Sequence, residues 1–305
     1  MKKDGLIRVA VMGYGNVSKG AIAAINAATD MELAGVVEER DHRRADYEKE
    51  APLLRFFAGI NEVPEVDVVV LGVPTRLIKE KARALLAEGI NTVDSFDIHG
   101  QELIEMKKEL SGVAIQHGSV GIISAGWDPG TDSVVRAIME TMAPRGITYT
   151  NFGPGMSMGH TVAVKHIPGV QDALSLTIPK GTGLHRRLVY ISLAEGADFQ
   201  AVKELILHDP YFINDETYVE QVDCIQDIID MGHGVVINRK GVAGKNHNQL
   251  LTFEARISNP EVTGQVMVSA ARAAVRQKAG IYTMLEIPPV DFLAGNREEI
   301  IKHMV

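Results

Sequence analysis

Two short acidic segments carry the residue types most suited to chemistry in this sequence. Thr92-Val93-Asp94-Ser95-Phe96-Asp97 stands at the end of the short strand-like run Asn91–Asp94, and Ser124-Ala125-Gly126-Trp127-Asp128-Pro129-Gly130 at the end of Gly118–Ala125. Such runs read as buried parallel strands. In open parallel sheets, ligands bind beyond the carboxyl ends of the strands. Asp97 and Asp128 are therefore expected to meet over a bound ligand, beside the chain's only tryptophan, Trp127. Two carboxylates attract an ammonium group and accept its proton, so the expected chemistry acts on an amine. Helix capping is the plainer role open to both aspartates.

A second group is the turn Gly13-Tyr14-Gly15-Asn16-Val17-Ser18, between a β-branched apolar run and an Ala- and Ile-rich helical run. The first glycine permits a tight turn. The second lets a pyrophosphate approach the helix N-terminus, where unpaired N–H groups point outward. Strand, turn, helix and second strand follow in order within the first 37 residues, which is the context such a turn requires. Ser18 stands where a third glycine is usual. Glu38 and Glu39 end the second strand, where an acidic residue binds a ribose 2′-hydroxyl and repels a 2′-phosphate. Arg40, Arg43 and Arg44 follow, and are open to two readings: bidentate phosphate ligands or a solvated charged loop. Val73, Pro74 and Thr75 end the strongest apolar run and complete the expected cofactor set.

The elements that must hold these groups are legible as α/β. Over residues 1–125, strands alternate with helices, which predicts βαβ units and a Rossmann-type, doubly wound parallel sheet. Residues 41–63 read only as a charged stretch with a weak strand near Phe56–Ile60. Over 126–258 the texture becomes that of an α+β substrate and dimerisation domain with a mostly antiparallel sheet, in which only Phe199–Leu207 stands out as a helix after Asp132–Met142. Residues 259–305 are expected to be helical and to pack back on the first domain.

Composition narrows the function. The 305 residues are 46% hydrophobic and 23% charged, enough for a sizeable core. Lys and Arg number 31 against 39 Asp and Glu, a net charge of −8, which argues against nucleic acid as a partner. The single Cys224 excludes an intrachain disulfide and a thiolate zinc cluster. No metal-ligand spacing appears. The N-terminus lacks the pattern of a signal peptide, and no apolar stretch reaches about 18 residues. A cytoplasmic protein without membrane contact is expected.

The remaining polar motifs lie in the second domain. Asn151-Phe152-Gly153-Pro154-Gly155-Met156-Ser157-Met158-Gly159-His160 is either a backbone N–H cradle for a carboxylate or a flexible connection. Arg187 has the fork geometry to clamp a carboxylate. His233, between two glycines, is open to a structural or a catalytic role.

Taken together, GYGNV, TVDSFDIHG, ISAGWDPGTDS, TNFGPGMSMGH, IPGV, MGHGVVINRKG, NPEVTGQVM and YTMLEIP resemble, in order and nearly end to end, the meso-diaminopimelate dehydrogenase family. The pairing of SAGWDPG with FGPGMSMGH is the specific part. The resemblance implies reversible oxidative deamination at the D-centre of meso-2,6-diaminoheptanedioate, releasing ammonia, by a homodimer that uses NADP. It implies that Asp97, Trp127 and Asp128 face the reacting centre, and that Phe152, Met156, Ser157, Met158 and Gly159 line the pocket. Thr177, Arg187, His233 and Asn259 would hold the substrate's polar groups, mainly at the distal L-centre. The chain departs from the family at Glu38-Glu39-Arg40, where adjacent arginines are usual, so NAD remains open as the cofactor. A broader D-amino acid dehydrogenase and a non-catalytic dinucleotide sensor are the alternatives.

Overall fold

The computed structural model describes residues 5–97, 99–229 and 232–305. Contacts divide the chain into two units, one of Met1–Val135 with Pro260–Val305 and one of Arg136–Asn259.

In chain order the first unit contains β1 (Ile7–Met12), α1 (Asn16–Ala27), β2 (Met31–Val37), α2 (Asp41–Glu50), β3 (Phe56–Phe57), β4 (Val68–Leu71), α3 (Thr75–Ala87), β5 (Asn91–Asp94), α4 (Gln101–His117) and β6 (Val120–Ile122). Helix α5 (Thr131–Met142) crosses into the second unit, which holds β7 (Arg145–Phe152), β8 (Gly155–Met156), α6 (Met158–Lys165), β9 (Val170–Gly181), β10 (Leu184–Leu193), α7 (Phe199–Leu207), β11 (Glu216–Gln221), β12 (Gly232–Ala243) and β13 (Asn246–Ser258). Helix α8 (Asn259–Ala274), β14 (Gly280–Tyr282) and α9 (Arg297–Met304) return to the first.

The first unit is built on a parallel seven-stranded sheet of order β14-β6-β5-β4-β1-β2-β3. Its strands read as unbroken apolar runs because both faces are buried. Val9, Val11, Val68 and Val70 enter one core with Ile22 and Ile25 of α1 and Val266, Met267 and Ala270 of α8. The alternating residues Ala10, Met12, Val69 and Leu71 enter the other, with Ile78 and Leu85 of α3 and Met106 and Leu110 of α4. This is the two-sided pattern of a doubly wound sheet. The reversal of strand order at β1 and β4 opens the crevice in which such sheets bind ligands.

The second unit has two sheets rather than one. β13-β12-β7 is antiparallel, whereas in β11-β10-β9-β8 the β10–β11 pair is parallel. The split follows from long-range pairing that strand periodicity does not encode. Arg239, 3% exposed on β12, ties the end of α5 to β7. Its guanidinium donates to the carbonyls of Ala143 and Pro144, to Glu140 and to Thr148 Oγ1. Arg239→Ala is expected to cost about 3–5 kcal/mol, since it strands buried acceptors as well as an ionic partner. Urea unfolding measures this loss, and a change below about 1 kcal/mol would contradict the assignment.

Among the described residues, no helix is long and apolar enough to cross a membrane.

Candidate active site

The cofactor end of the first unit forms around the turn after β1. Gly13 has φ +90°, and a Cβ there would lie 2.6 Å from the Gly72 carbonyl oxygen, so the turn requires glycine. Gly15 precedes α1, has open space where a Cβ would stand, and makes no side-chain cap to the helix. The first N–H groups of α1 are thus available to an anion, with the helix dipole favouring it. Ser18 is fully buried, with its hydroxyl packed against Gly72, so close helix–sheet packing survives without the third glycine. These features fit a dinucleotide pyrophosphate.

Gly13, Glu38, Glu39, Arg40, Val73 and Pro74 line one cavity of about 170 Å³ with Arg76, Leu77 and Lys81. The last three were not anticipated, because α3 read simply as an amphipathic helix. Asn16 and Val17 open α1 beside this turn. Tyr14 turns into an aromatic group with Tyr47 and Phe56, at ring separations of 4.9 and 5.2 Å. Glu38 is 3% exposed, and Arg40 covers it. Arg40 Nε and Nη2 donate to its two carboxylate oxygens at 2.7 and 2.8 Å, and the Arg40 main-chain N–H adds a third bond. Burial works to raise the Glu38 pKa, but the Arg40 hydrogen bonds and charge outweigh it and hold the carboxyl below its ordinary value. Arg44 donates to the Glu38 carbonyl and to Asp41, and Lys81 pairs with Glu39. Glu38 is therefore not the bare ribose acceptor that its position suggests.

The loops after β5 and β6 carry the two aspartates. Thr75 donates its hydroxyl to Asp97 Oδ1 at 2.7 Å, and this ties the start of α3 to the β5 loop. Asp97 is not the N-cap of α4: that position is Gly100, which has no side chain to cap with. Trp127 is buried and Asp128 half-buried, both on the β6 loop. Gly126 N–H donates to Pro129 O, and Asp132 N–H to Trp127 O, which folds this loop tightly.

In the second unit a polar cluster lies on one face of β9 and β10. Period-two alternation places Thr177 on the face of Ala173, and Arg187 on that of Val189 and Ile191, the side that packs α6 and α7. Thr177 and Arg187 are register partners, and Arg187 Nη1 donates to Thr177 Oγ1. Arg187 Nε donates to Asp215 Oδ2 at 2.6 Å. Sequence reading missed Asp215, because only the parallel β10–β11 pairing brings it to Arg187. His160 also belongs here, with Nδ1 2.8 Å from Ser157 Oγ and its ring 4.0 Å from Asp215. Burial, then the Arg187 charge, pushes the His160 imidazole down to about 4. The same two causes, with His185, push His233 down to about 4. Burial and Arg187 lower His185 as well. At neutral pH these rings are uncharged, so Arg187 and Asp215 form the cluster's opposite charges. A cation beside an anion matches the carboxylate and ammonium of an amino acid end.

Phe152 stacks on His233 at 6.3 Å, and its main-chain N–H donates to His185 Nε2. The Phe152–His160 segment is not one loop: Met156 lies in β8, packed with Leu174 and Ile225, and α6 begins at Met158, with Gly159 in its first turn. The Met158 side chain lies outside those described. Asn259 opens α8.

Fold, turn and cavity fit the binding of a nicotinamide dinucleotide. Residues 7–93 match the oxidoreductase family with an NAD-binding Rossmann fold. Residues 126–259 match the diaminopimelic acid dehydrogenase C-terminal domain. The chain is 53% identical to the meso-diaminopimelate D-dehydrogenase of Bacteroides fragilis, over 100% of both chains. It belongs to the meso-diaminopimelate dehydrogenase family. It is also similar in structure to the Corynebacterium glutamicum diaminopimelate dehydrogenase in complex with DAP, with 27% identity, a TM-score of 0.82, and coverage of 99% of this chain and 100% of that one. An engineered D-amino acid dehydrogenase bound to NADP+ gives 27% identity and a TM-score of 0.77 over 98% of this chain and 100% of that one.

Proposed function

We propose that the protein catalyses reversible oxidative deamination of the D-centre of meso-2,6-diaminopimelate, giving L-2-amino-6-oxopimelate, ammonia and reduced cofactor. The observation carrying this reading is the placement of Asp97 and Asp128 on loops after neighbouring strands, β5 and β6, of the sheet that bears the glycine turn. A bound nicotinamide would supply the hydride acceptor. The chain's own residues do the rest. Asp128, or Asp97 through a water, takes the proton from the D-ammonium, so that the nitrogen lone pair drives hydride departure. Thr75 holds Asp97 for this task. The carboxylates then direct the water that attacks the iminium carbon, and ammonia leaves. Arg187 with Thr177 takes the distal carboxylate, Asp215 suits the distal ammonium, and His233, Phe152 and Asn259 complete that subsite.

Initial rates with meso-diaminopimelate, its L,L-isomer and D-alanine test this reading. A strong preference for the meso isomer is expected. Equal efficiency with D-alanine would make it a broad D-amino acid dehydrogenase, and cofactor binding without substrate-dependent reduction would make it a sensor.

The cofactor we infer is NADP. Arg40 neutralises Glu38 and Lys81 neutralises Glu39, and Arg76 lines the same cavity as a further cation, so a 2′-phosphate would meet net positive charge there. The NADP+ bound by the engineered relative supports this choice. Arg40→Ala removes a phosphate partner and uncovers Glu38. It is expected to raise the KM for NADP by about tenfold or more, at about 1.5–3 kcal/mol for a hydrogen bond to a charged group. The NAD-to-NADP efficiency ratio should rise with it, and an unchanged ratio would rule Arg40 out.

We also infer a homodimer formed through the second unit, a role fitting its edge strand β13 and the exposed Ile147 and Leu250. One exposed cysteine, Cys224, suits a reducing cytoplasm.

A further inference from the structure

Asp94 ends β5 and is fully buried. Its Oδ1 accepts the main-chain N–H of Phe96 at 2.9 Å and of Ser124 at 3.0 Å. Its carbonyl oxygen accepts the N–H of Ala125 at 2.7 Å. One residue thus grips both loops, immediately before Asp97 on one side and just before Trp127 and Asp128 on the other. The grip is costly to maintain. Burial pushes the Asp94 carboxyl up to about 6 against the two N–H donors. Its Oδ2 and the hydroxyl of Ser124 are buried without hydrogen-bond partners among the described residues. Ser124 also holds φ +53°, a strained value for a residue with a Cβ. A core position serving stability alone would favour an apolar residue here. Buried polar groups and backbone strain held together by one side chain mark a constraint on the loops themselves.

We propose that Asp94 is a positioning residue for the amine chemistry: its carboxylate fixes the spacing between the loop of Asp97 and the loop of Trp127 and Asp128. It touches neither substrate nor cofactor. It acts by holding two main-chain N–H groups with one oxygen, and this sets where the two catalytic carboxylates stand. The inference rests on the role of Asp97 and Asp128 proposed above, but the geometry of the two loops can be read without that chemistry.

Trp127, the only tryptophan, reports the β6 loop directly. In Asp94→Ala, acrylamide should quench its emission more strongly and the spectrum should shift to the red. Cofactor affinity at the glycine turn should stay within about twofold, and kcat with meso-diaminopimelate should fall by about tenfold to a hundredfold, the scale of an ångström misplacement. Asp94→Asn keeps the accepting oxygen and should recover most of the tryptophan signature and of kcat. An Asp94→Ala protein that binds cofactor normally and leaves both Trp127 quenching and kcat unchanged would overturn the proposal. If Asp94→Ala does not fold, Asp94→Asn decides: a folded protein with wild-type Trp127 quenching but a kcat as low as that of Asp97→Asn would overturn it too. Wild-type protein that turns over no meso-diaminopimelate would sink the proposed reaction, while the quenching comparison still judges the grip.

Discussion

Replacing Asp128 with alanine is expected to lower kcat for meso-diaminopimelate by about 10²- to 10⁴-fold, the usual contribution of a positioned general base. The amine of the substrate is an ammonium at neutral pH, with no lone pair to stabilise the carbon from which hydride leaves. Asp128 lies on the β6 loop, half-buried, and Asp97 faces the same end of the sheet from the neighbouring β5 loop. Asp97 is exposed and fixed by Thr75. The division of labour has a kinetic signature. If Asp128 removes the proton, the defect shrinks as pH rises, because more substrate arrives as free amine. The kcat/KM profile of Asp128→Ala should therefore climb towards alkaline pH beyond that of the wild type. Cofactor affinity should be unchanged, since the glycine turn is untouched. A folded Asp128→Ala enzyme with near-normal kcat at neutral pH would remove Asp128 from the mechanism.

Truncation of Arg187 is the second large effect. Arg187→Ala removes the cation of the distal cluster and leaves Asp215 without its 2.6 Å partner. Losing a charged hydrogen bond to the substrate's carboxylate costs about 1.5–3 kcal/mol, at least about tenfold in kcat/KM for meso-diaminopimelate. On the proposed binding mode the loss should fall mainly on KM, because the distal end would be bound alike before and during hydride transfer. D-alanine has no distal amino acid end, so its slow oxidation should be barely affected. The neighbouring imidazoles cannot substitute. His160 and His233 are held neutral down to about pH 4, so neither offers a positive charge in the working range. Lysine is a poor replacement as well, because a point charge does not reproduce the fork that spans Asp215 and Thr177. Equal losses with both substrates would show that Arg187 supports the fold of the second unit rather than the distal end of the ligand.

Much of this arrangement was legible in the residues. The apolar runs of β1 and β4 and the turn between β1 and α1 fixed the parallel sheet, because burial on both faces leaves an unbroken apolar signature. What escaped did so for physical reasons. Helix α2 buries no residue and so carries no apolar stripe to read; its charged sequence passed for a loop. Helix α6 starts inside a Gly- and Met-rich segment that reads as a backbone N–H cradle or a flexible connection, and its packing through Val164 onto β9 and β10 supplies the order. Strand β14 is three residues long and exists because it pairs with β6, far away in the chain. Glu38 is the instructive case at the site. Its position marked it as a ribose acceptor, but its partner is two residues away, and only the side-chain geometry shows the carboxylate already taken. Asp215 and His160 were missed for the opposite reason, since their meeting with Arg187 depends on strand and helix placement rather than on spacing.

Isotope transfer tests the central claim most directly. With meso-diaminopimelate deuterated at the D-centre carbon, the label should appear in the reduced nicotinamide, and turnover should slow by a primary isotope effect. With the label at the L-centre carbon, the reduced cofactor should carry none. Deuterium arriving from the L-centre, or reduction that carries label from neither carbon, would contradict the account.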